Sequence, residues 1–211
     1  MKPSISFAIT THNEFIQLKK SIDIIERFKD DSDELLFLDD FSDNDKTLKL
    51  LESRNTFKRK FKKDYSDHKN YLNSLCSCDY ILQLDGDEIL SQKLIANVKN
   101  IIKDNLDIDL FYIPRANYVQ GINKNYLKRW NWKIDNKKRI NYPDFQGRLF
   151  KNNEKLYWHR SVHERITGNK NFSKLPLDND LDIIHEKHIQ KQIANNNFYS
   201  ENYNRDCTRK Q

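Results

Sequence analysis

The sequence predicts an α/β fold, a mostly parallel sheet flanked by helices with an extension at its C-terminal end. Two observations lead there. Between residues 1 and 103, short apolar runs alternate with stretches of helical spacing, a β-α-β-α-β-α-β-α order that implies a parallel sheet covered on both faces. Polar clusters stand directly after three of the predicted strands: THNE after the first, DDFSD after the second and DGDE after the fourth. In a parallel sheet such clusters gather at one edge, where ligands bind.

Each element has its own signal. Ile5–Ile9 is a short apolar run bounded by Pro3 and polar residues, as in a buried strand. Phe15, Leu18, Ile22 and Ile25 then recur on one helical face. A second strand stops at Asp39-Asp40, and Ser42 or Asp43 is positioned to cap the helix carrying Leu48 and Leu51. Residues 57–61 alternate like an edge strand. Residues 67–76 read as a helix with Tyr71, Leu72 and Leu75 inward, residues 79–85 as a strand, and Leu94, Val98, Ile101 and Ile102 as a further helix. In the second half, residues 109–121 open as a strand and 122–141 form an irregular excursion rich in Lys, Asn and Trp. Residues 146–152 and 155–166 alternate as a hairpin-like pair. Residues 180–188 are a last strand, and a helix from about 189 to 204 is anchored by Ile189, Ile193 and Phe198. The expected organisation is one domain over 1–211, with residues 104–211 extending the first sheet.

Composition narrows the function. Only four glycines occur, Gly86, Gly121, Gly147 and Gly168, which excludes a G-x-G-x-x-G dinucleotide loop and a Walker P-loop. The formal net charge is +6, a balance that attracts anions. KRKFKK at residues 58–63 is the densest basic run, too short to indicate nucleic-acid binding. Three cysteines without framework spacing suit a reducing compartment. With no apolar h-region and no run of transmembrane length, the expectation is a cytoplasmic protein with at most peripheral membrane contact.

The chemistry concentrates in ILQLDGDEIL, residues 81–90. Asp85 and Asp87 at a strand end suit a hard cation such as Mg²⁺ or Mn²⁺, which takes one or two carboxylates plus substrate phosphates. Gly86 between them would let a diphosphate approach the backbone. The competing reading is a tight turn with solvated acids. Asp39-Asp40 suit hydrogen bonding to a base or ribose, or a helix cap. Tyr126, Trp130, Trp132 and Tyr142 in the excursion offer faces for a sugar ring, or cover the sheet.

ISFAITTHNE, LLFLDDFSDND, DHKN…CDYILQLDGDE and QGRLFKN…VHE together resemble a family 2 glycosyltransferase of GT-A, Rossmann-like fold. The resemblance is strongest to the branch of lipopolysaccharide-core glucosyltransferases and peptide S-glycosyltransferases, and it covers residues 4–90 and, more loosely, 144–199. Thr10 and His12 stand where the family has Pro and Tyr, and Lys69-Asn70 where it has Arg-Asn. The resemblance implies that Thr10, His12, Glu14 and Asp40 hold the nucleoside, with Lys69 and Asn70 beside them. It implies that Asp85 and Asp87 face the ribose-diphosphate and a Mn²⁺ or Mg²⁺ ion, and that His185 is a third metal or diphosphate contact. Arg148 and Lys187 are phosphate contacts or surface charge. An inverting transfer also needs a carboxylate to take the acceptor's proton; Glu164, in the V-H-E match, is assigned that part, with Asp144 in reserve. The implied donor is a UDP-hexose, and the implied acceptor a glycan, lipid-linked or peptide molecule rather than nucleic acid. Residues 1–103 would be the nucleotide-sugar half and 104–211 the acceptor half. The rival readings are a sugar-phosphate nucleotidyltransferase, which would need a Gly-rich phosphate loop, and a non-catalytic basic nucleotide- or nucleic-acid-binding protein.

Overall fold

The computed structural model describes residues 2–177 and 180–203. The first half runs β1 (Ile5–Thr11), α1 (Phe15–Phe28), β2 (Glu34–Asp39), α2 (Asp45–Leu51), β3 (Thr56–Lys58), α3 (Tyr65–Asn73), β4 (Tyr80–Asp85), β5 (Glu88–Leu90) and α4 (Gln92–Lys103). The second half runs β6 (Leu110–Gln120), α5 (Lys124–Trp130), β7 (Ile140–Lys151), β8 (Tyr157–His159), β9 (Arg165–Thr167), β10 (Phe172–Lys174), β11 (Ile183–His188) and α6 (Ile189–Tyr203). One sheet has the order β3-β2-β1-β4-β7-β6-β11-β5, with β10 also on β6. β3, β2, β1 and β4 are parallel; β7 enters antiparallel between β4 and β6. The second half thus continues the first sheet.

Helices cover both faces of the first strands, so β1 is buried on both sides, and its first five residues are apolar except Ser6, whose hydroxyl donates to Glu34. On one face Phe7 and Ile9 meet Leu18, Ile22 and Ile25 of α1 and Leu94, Val98 and Ile102 of α4. On the other, Ala8, Leu36, Leu38 and Ile81 meet Leu72 of α3 and Phe150, Trp158 and Ile166. Each fully buried Leu or Ile in these layers contributes roughly 1.5–3 kcal/mol. A third cluster, Val119, Trp130, Ile140 and Ile189, joins α5 to the start of α6. Among the described residues no helix is long and apolar enough to cross a membrane.

Four local expectations are corrected. The cap of α2 is Asn44, whose side chain accepts from the backbone N–H groups of Lys46 and Thr47; Ser42 instead donates to Asp39. Residues 146–152 do not pair with 155–166. They lie in β7 against β4 and β6, while β8 and β9 make their own hairpin. The inward face of α3 is His68, Lys69 and Leu72, and Tyr71 is exposed with the Arg59 guanidinium over its ring. The excursion contains a real helix, α5, capped by Asn123.

Candidate active site

Parallel pairing brings the polar clusters together. Thr10 lies level with Asp85 and Thr11 with Asp39 in the sheet register. Gly86 is needed here for the packing of the chain on itself. A Cβ at that position would lie 2.9 Å from Thr11 Oγ1 and 3.1 Å from the Thr10 carbonyl oxygen. The glycine therefore lets the turn after β4 pass against the end of β1, a different reason from the diphosphate approach expected of it.

The turns after β1 and β2 are tied by side chains. Asn13, at φ 58, accepts from the backbone N–H groups of Asp43 and Asn44, and its own N–H donates to Ser42 Oγ. Buried Asp39 accepts from the Ser42 hydroxyl and backbone N–H, so it closes a turn. Asp40 Oδ1 accepts from the Phe61 N–H at 2.8 Å. His12 Nδ1 donates to the Asp40 carbonyl at 2.8 Å. Thr10, His12 and Asp40 thus share the edge expected of the nucleoside pocket. Glu14 stands at the same edge facing Lys191 of α6, the lysine that also reaches Asp87.

Behind this edge runs a ladder of alternating charges. Glu164 Oε1 meets Lys69 Nζ at 2.6 Å, and Lys69 meets Asp85 at 2.9 Å. Asp85 meets Arg148 at 2.6 Å, and Arg148 meets Glu88 at 2.8 Å. Glu88 meets Arg115 at 2.8 Å, and Arg115 meets Asp144 at 2.7 Å. The ladder links the two expected bases at its ends. Its middle is dry: the side chains of Lys69, Arg148 and Glu88 are 2%, 3% and 0% exposed. Glu88 also accepts the Asp85 N–H at 3.0 Å, so it fixes the strand end itself. Trp158 lies beneath, with Lys69 Nζ 4.7 Å from its ring centre and its indole N–H donating to Gln83.

This environment sorts the expected site residues. Burial alone would raise the Asp85 carboxyl, but Arg148 and then Lys69 outweigh it and hold the group well below the usual carboxylate range. One Asp85 oxygen is taken by Lys69 and Thr10 Oγ1, the other by Arg148. Asp85 is therefore a poor metal ligand. Asn70 is no ligand group either, because its amide clamps the Trp158 backbone, donating to the carbonyl at 2.9 Å and accepting the N–H at 2.8 Å. Arg148 is buried and held, not surface charge. Asp144 accepts from Arg115, Asn117 and Gln146; burial raises its carboxyl, and Arg115 and Asn117 more than reverse that. Such a carboxylate is a weak base. Glu164 accepts from Lys69 at one oxygen, and among the described residues no second hydrogen bond holds its carboxylate.

Asp87 and His185 form the other half of the site. His185 Nδ1 donates to Asn117 Oδ1 at 2.7 Å, which in the neutral ring leaves the Nε2 lone pair toward Asp87 Oδ2, 3.2 Å away. A lone pair and a carboxylate face each other stably only across a proton or a cation. A ring nitrogen freed by a fixed second nitrogen is also the usual state of a metal-binding histidine. As it stands a proton joins the pair, and the same two groups would suit a divalent cation whose remaining positions are filled by phosphate and water. Among the described residues, no group of three His, Cys, Asp or Glu side chains is close enough to hold an ion alone. Lys191 also reaches Asp87, at 3.1 Å, and burial lowers the neighbouring Lys187 to about 8. Burial raises the Asp87 carboxyl, and His185, Lys191 and Lys187 together carry it well below its ordinary range.

Helix α6 crosses the opening. Tyr199 lies against Tyr65 and His163 with ring centres 6.3 Å away in each case, and Tyr203 donates to the Lys63 carbonyl. Burial, followed among the raising influences by Glu164 and Asp85, pushes Tyr199 up to about 12. Glu88, Arg115, Asn117, Trp158 and Lys191 carry no weight in the sequence reading. A signal existed for two of them: Arg115 interrupts an apolar strand, and Lys187 and Lys191 stand four apart beside His185.

Comparison with known proteins gives the arrangement a context. The glycosyl transferase family 2 profile matches residues 6–174. Among solved structures, S. aureus TarS residues 1–349 superposes with a TM-score of 0.58 at 11% identity, over 87% of this chain and 60% of that one. The same TarS region in complex with UDP-GlcNAc gives a TM-score of 0.60 at 12% identity, over 87% of this chain and 58% of that one. A longer TarS structure gives 0.60 at 13% identity, over 93% of this chain and 38% of that one. The chain thus spans well under two thirds of the solved proteins it resembles. No curated protein matches it. The likeness to TarS establishes a GT-A fold, and the profile match over most of the length shows that the chain belongs to glycosyl transferase family 2.

Proposed function

We propose that the protein transfers a hexose from a nucleotide sugar, UDP-linked, to an acceptor hydroxyl or thiol with inversion at the anomeric carbon. One observation carries this reading. The strand-end carboxylate Asp85 at the nucleotide edge is joined through Lys69 to Glu164, 95 residues beyond that lysine. Donor-side and acceptor-side groups thus meet at one place. TarS binds UDP-GlcNAc and UDP in its crystal structures, which supports a UDP-linked donor on the same fold.

In this reading Thr10, His12 and Asp40 line the nucleoside pocket, and the acceptor is a glycan, a lipid-linked molecule or a peptide. Asp87 and His185 would hold a Mn²⁺ or Mg²⁺ ion, which when bound neutralises charge on the diphosphate. The acceptor oxygen or sulfur attacks the anomeric carbon while the bond from that carbon to the diphosphate oxygen breaks, its electron pair leaving with the nucleotide. The acceptor proton passes to the free oxygen of Glu164. Lys69 holds the other oxygen and keeps the carboxylate aimed. Lys187 and Lys191 supply positive charge beside the departing diphosphate.

The cation assignment predicts that Asp87→Ala loses the part of UDP affinity that Mn²⁺ adds; its side chain is only 17% exposed and paired with His185 and Lys191, so a melting curve of the variant is taken alongside. Calorimetric titration with UDP, with and without Mn²⁺, reads this directly. An unchanged Mn²⁺ enhancement in the variant would remove Asp87 from the cation site.

A further inference from the structure

We infer that the face formed by α5 and the hairpin after it docks on an anionic lipid bilayer. The observation is a concentration of charge. Residues 122–141 hold seven Lys or Arg and one acid, Asp135, for a net +6, and the whole chain is also +6. The remainder of the protein is therefore neutral overall, and its excess charge is confined to one twenty-residue excursion.

That charge is free to act outward. Lys124, Lys128 and Arg129 are exposed on α5, whose other side buries Trp130 and partly buries Tyr126 and Leu127. Beyond the helix, Ile134 bridges Ile140 to make a small hairpin carrying exposed Lys133, Lys137 and Lys138. Arg139 pairs with Asp135 at 2.7 Å, and Lys137 has only a 3.9 Å approach to Asp180. Among the described residues, none of Lys124, Lys128, Arg129, Lys133 or Lys138 has a carboxylate within 4.0 Å. Five uncompensated cations on one excursion are held within about a Debye length or two of one another and act together on an anionic surface.

The apolar part of the same face selects a bilayer over other polyanions. Ile134 is 44% exposed at the base of the hairpin, next to half-buried Trp132. An interfacial site combines basic residues with apolar and aromatic side chains that enter the headgroup region. A single-stranded nucleic acid would instead need open aromatic faces for its bases. Here Trp130 is buried, with Tyr126 stacked on it at 4.9 Å and Trp132 tilted against it at 4.8 Å. The stack is anchored on Val119, Ile140 and Ile189, so the face is rigid and adjoins the start of α6, two residues before Lys191 of the active site.

Co-sedimentation of the full chain with vesicles tests this. The expected result is binding to phosphatidylglycerol–phosphatidylcholine vesicles, weakened by salt, and little binding to phosphatidylcholine alone. Lys128→Glu with Arg129→Glu should lower the partition coefficient about tenfold or more. Lys93→Glu with Lys103→Glu, the same charge change on exposed positions of α4, should have a much smaller effect. Ile134→Ser should weaken binding without changing its salt dependence. Circular dichroism melts of all variants, expected to match the parent, separate lost docking from lost fold. The inference is overturned by absence of binding to anionic vesicles, by equal binding to neutral ones, by equal losses from the α4 and α5 pairs, or by a single-stranded oligonucleotide that binds more tightly than the vesicles. None of these outcomes depends on the proposed sugar transfer.

Discussion

Glu164→Gln reduces sugar transfer by about 10² to 10⁴ while leaving UDP-sugar affinity nearly unchanged. The amide keeps the shape of the side chain and can still accept from Lys69 Nζ, now 2.6 Å from the carboxylate, so the ladder keeps its geometry. What it loses is the capacity to take a proton. The asymmetry in Glu164's partners gives the prediction its direction: Asp144, at the other end of the ladder, is saturated by Arg115, Asn117 and Gln146. Steady-state kinetics should therefore show the loss in kcat, with KM for the donor little altered. Near-parental transfer by Glu164→Gln, together with a large loss in Asp144→Asn, would reverse the two assignments.

Arg148→Met is expected to be the most destabilising single change in the site, by about 3 kcal/mol and up to about 5 kcal/mol. Removing one member of a buried ion pair leaves its partners as uncompensated charges. Arg148 is shared by Asp85 and Glu88, and only Lys69 and Arg115 remain to them once it is gone. Asp85 is held ionised chiefly by Arg148, so its carboxyl rises in the variant and takes up a proton more readily. The double variant Arg148→Met, Glu88→Gln should lose less than the sum of the two single losses, because one of the two acids that share the guanidinium has been neutralised. Denaturant midpoints of the three variants measure this. Additive losses would mean that the ladder is a set of independent contacts.

The fold was legible because its signals are local. β1 reads as a short apolar run, α1 and α4 bury one periodic face each, and β4 ends where its apolar residues meet Asp85. Parallel pairing then has to place the strand-end clusters side by side. The hairpin error has the opposite origin. Residues 146–152 alternate like any strand, and nothing local says that their partners are β4 and β6 rather than the segment that follows.

The site was legible as positions more than as roles. Asp85 and Asp87 look alike in sequence, yet one is locked between Lys69 and Arg148 while the other faces His185 and Lys191. That difference depends on β7, β11 and α6, whose contacting residues arrive 63 to 104 residues later. Asn70 illustrates the same point: its clamp on Trp158 spans 88 residues, so a motif position that suggests a ligand turns out to hold a hairpin.

The proposed function requires this chain to bind a sugar nucleotide with the help of a divalent cation at Asp87 and His185. Thermal unfolding with UDP-hexoses, with and without Mn²⁺, tests it most directly. At about a hundred times its dissociation constant a ligand adds about 2.7 kcal/mol, which for a chain of this size raises Tm on the order of 5–10 °C. The account predicts such a rise with at least one UDP-hexose, larger with Mn²⁺ present, and absence of the Mn²⁺ increment in Asp87→Ala. A Tm that no sugar nucleotide moves, with or without the metal, would contradict it.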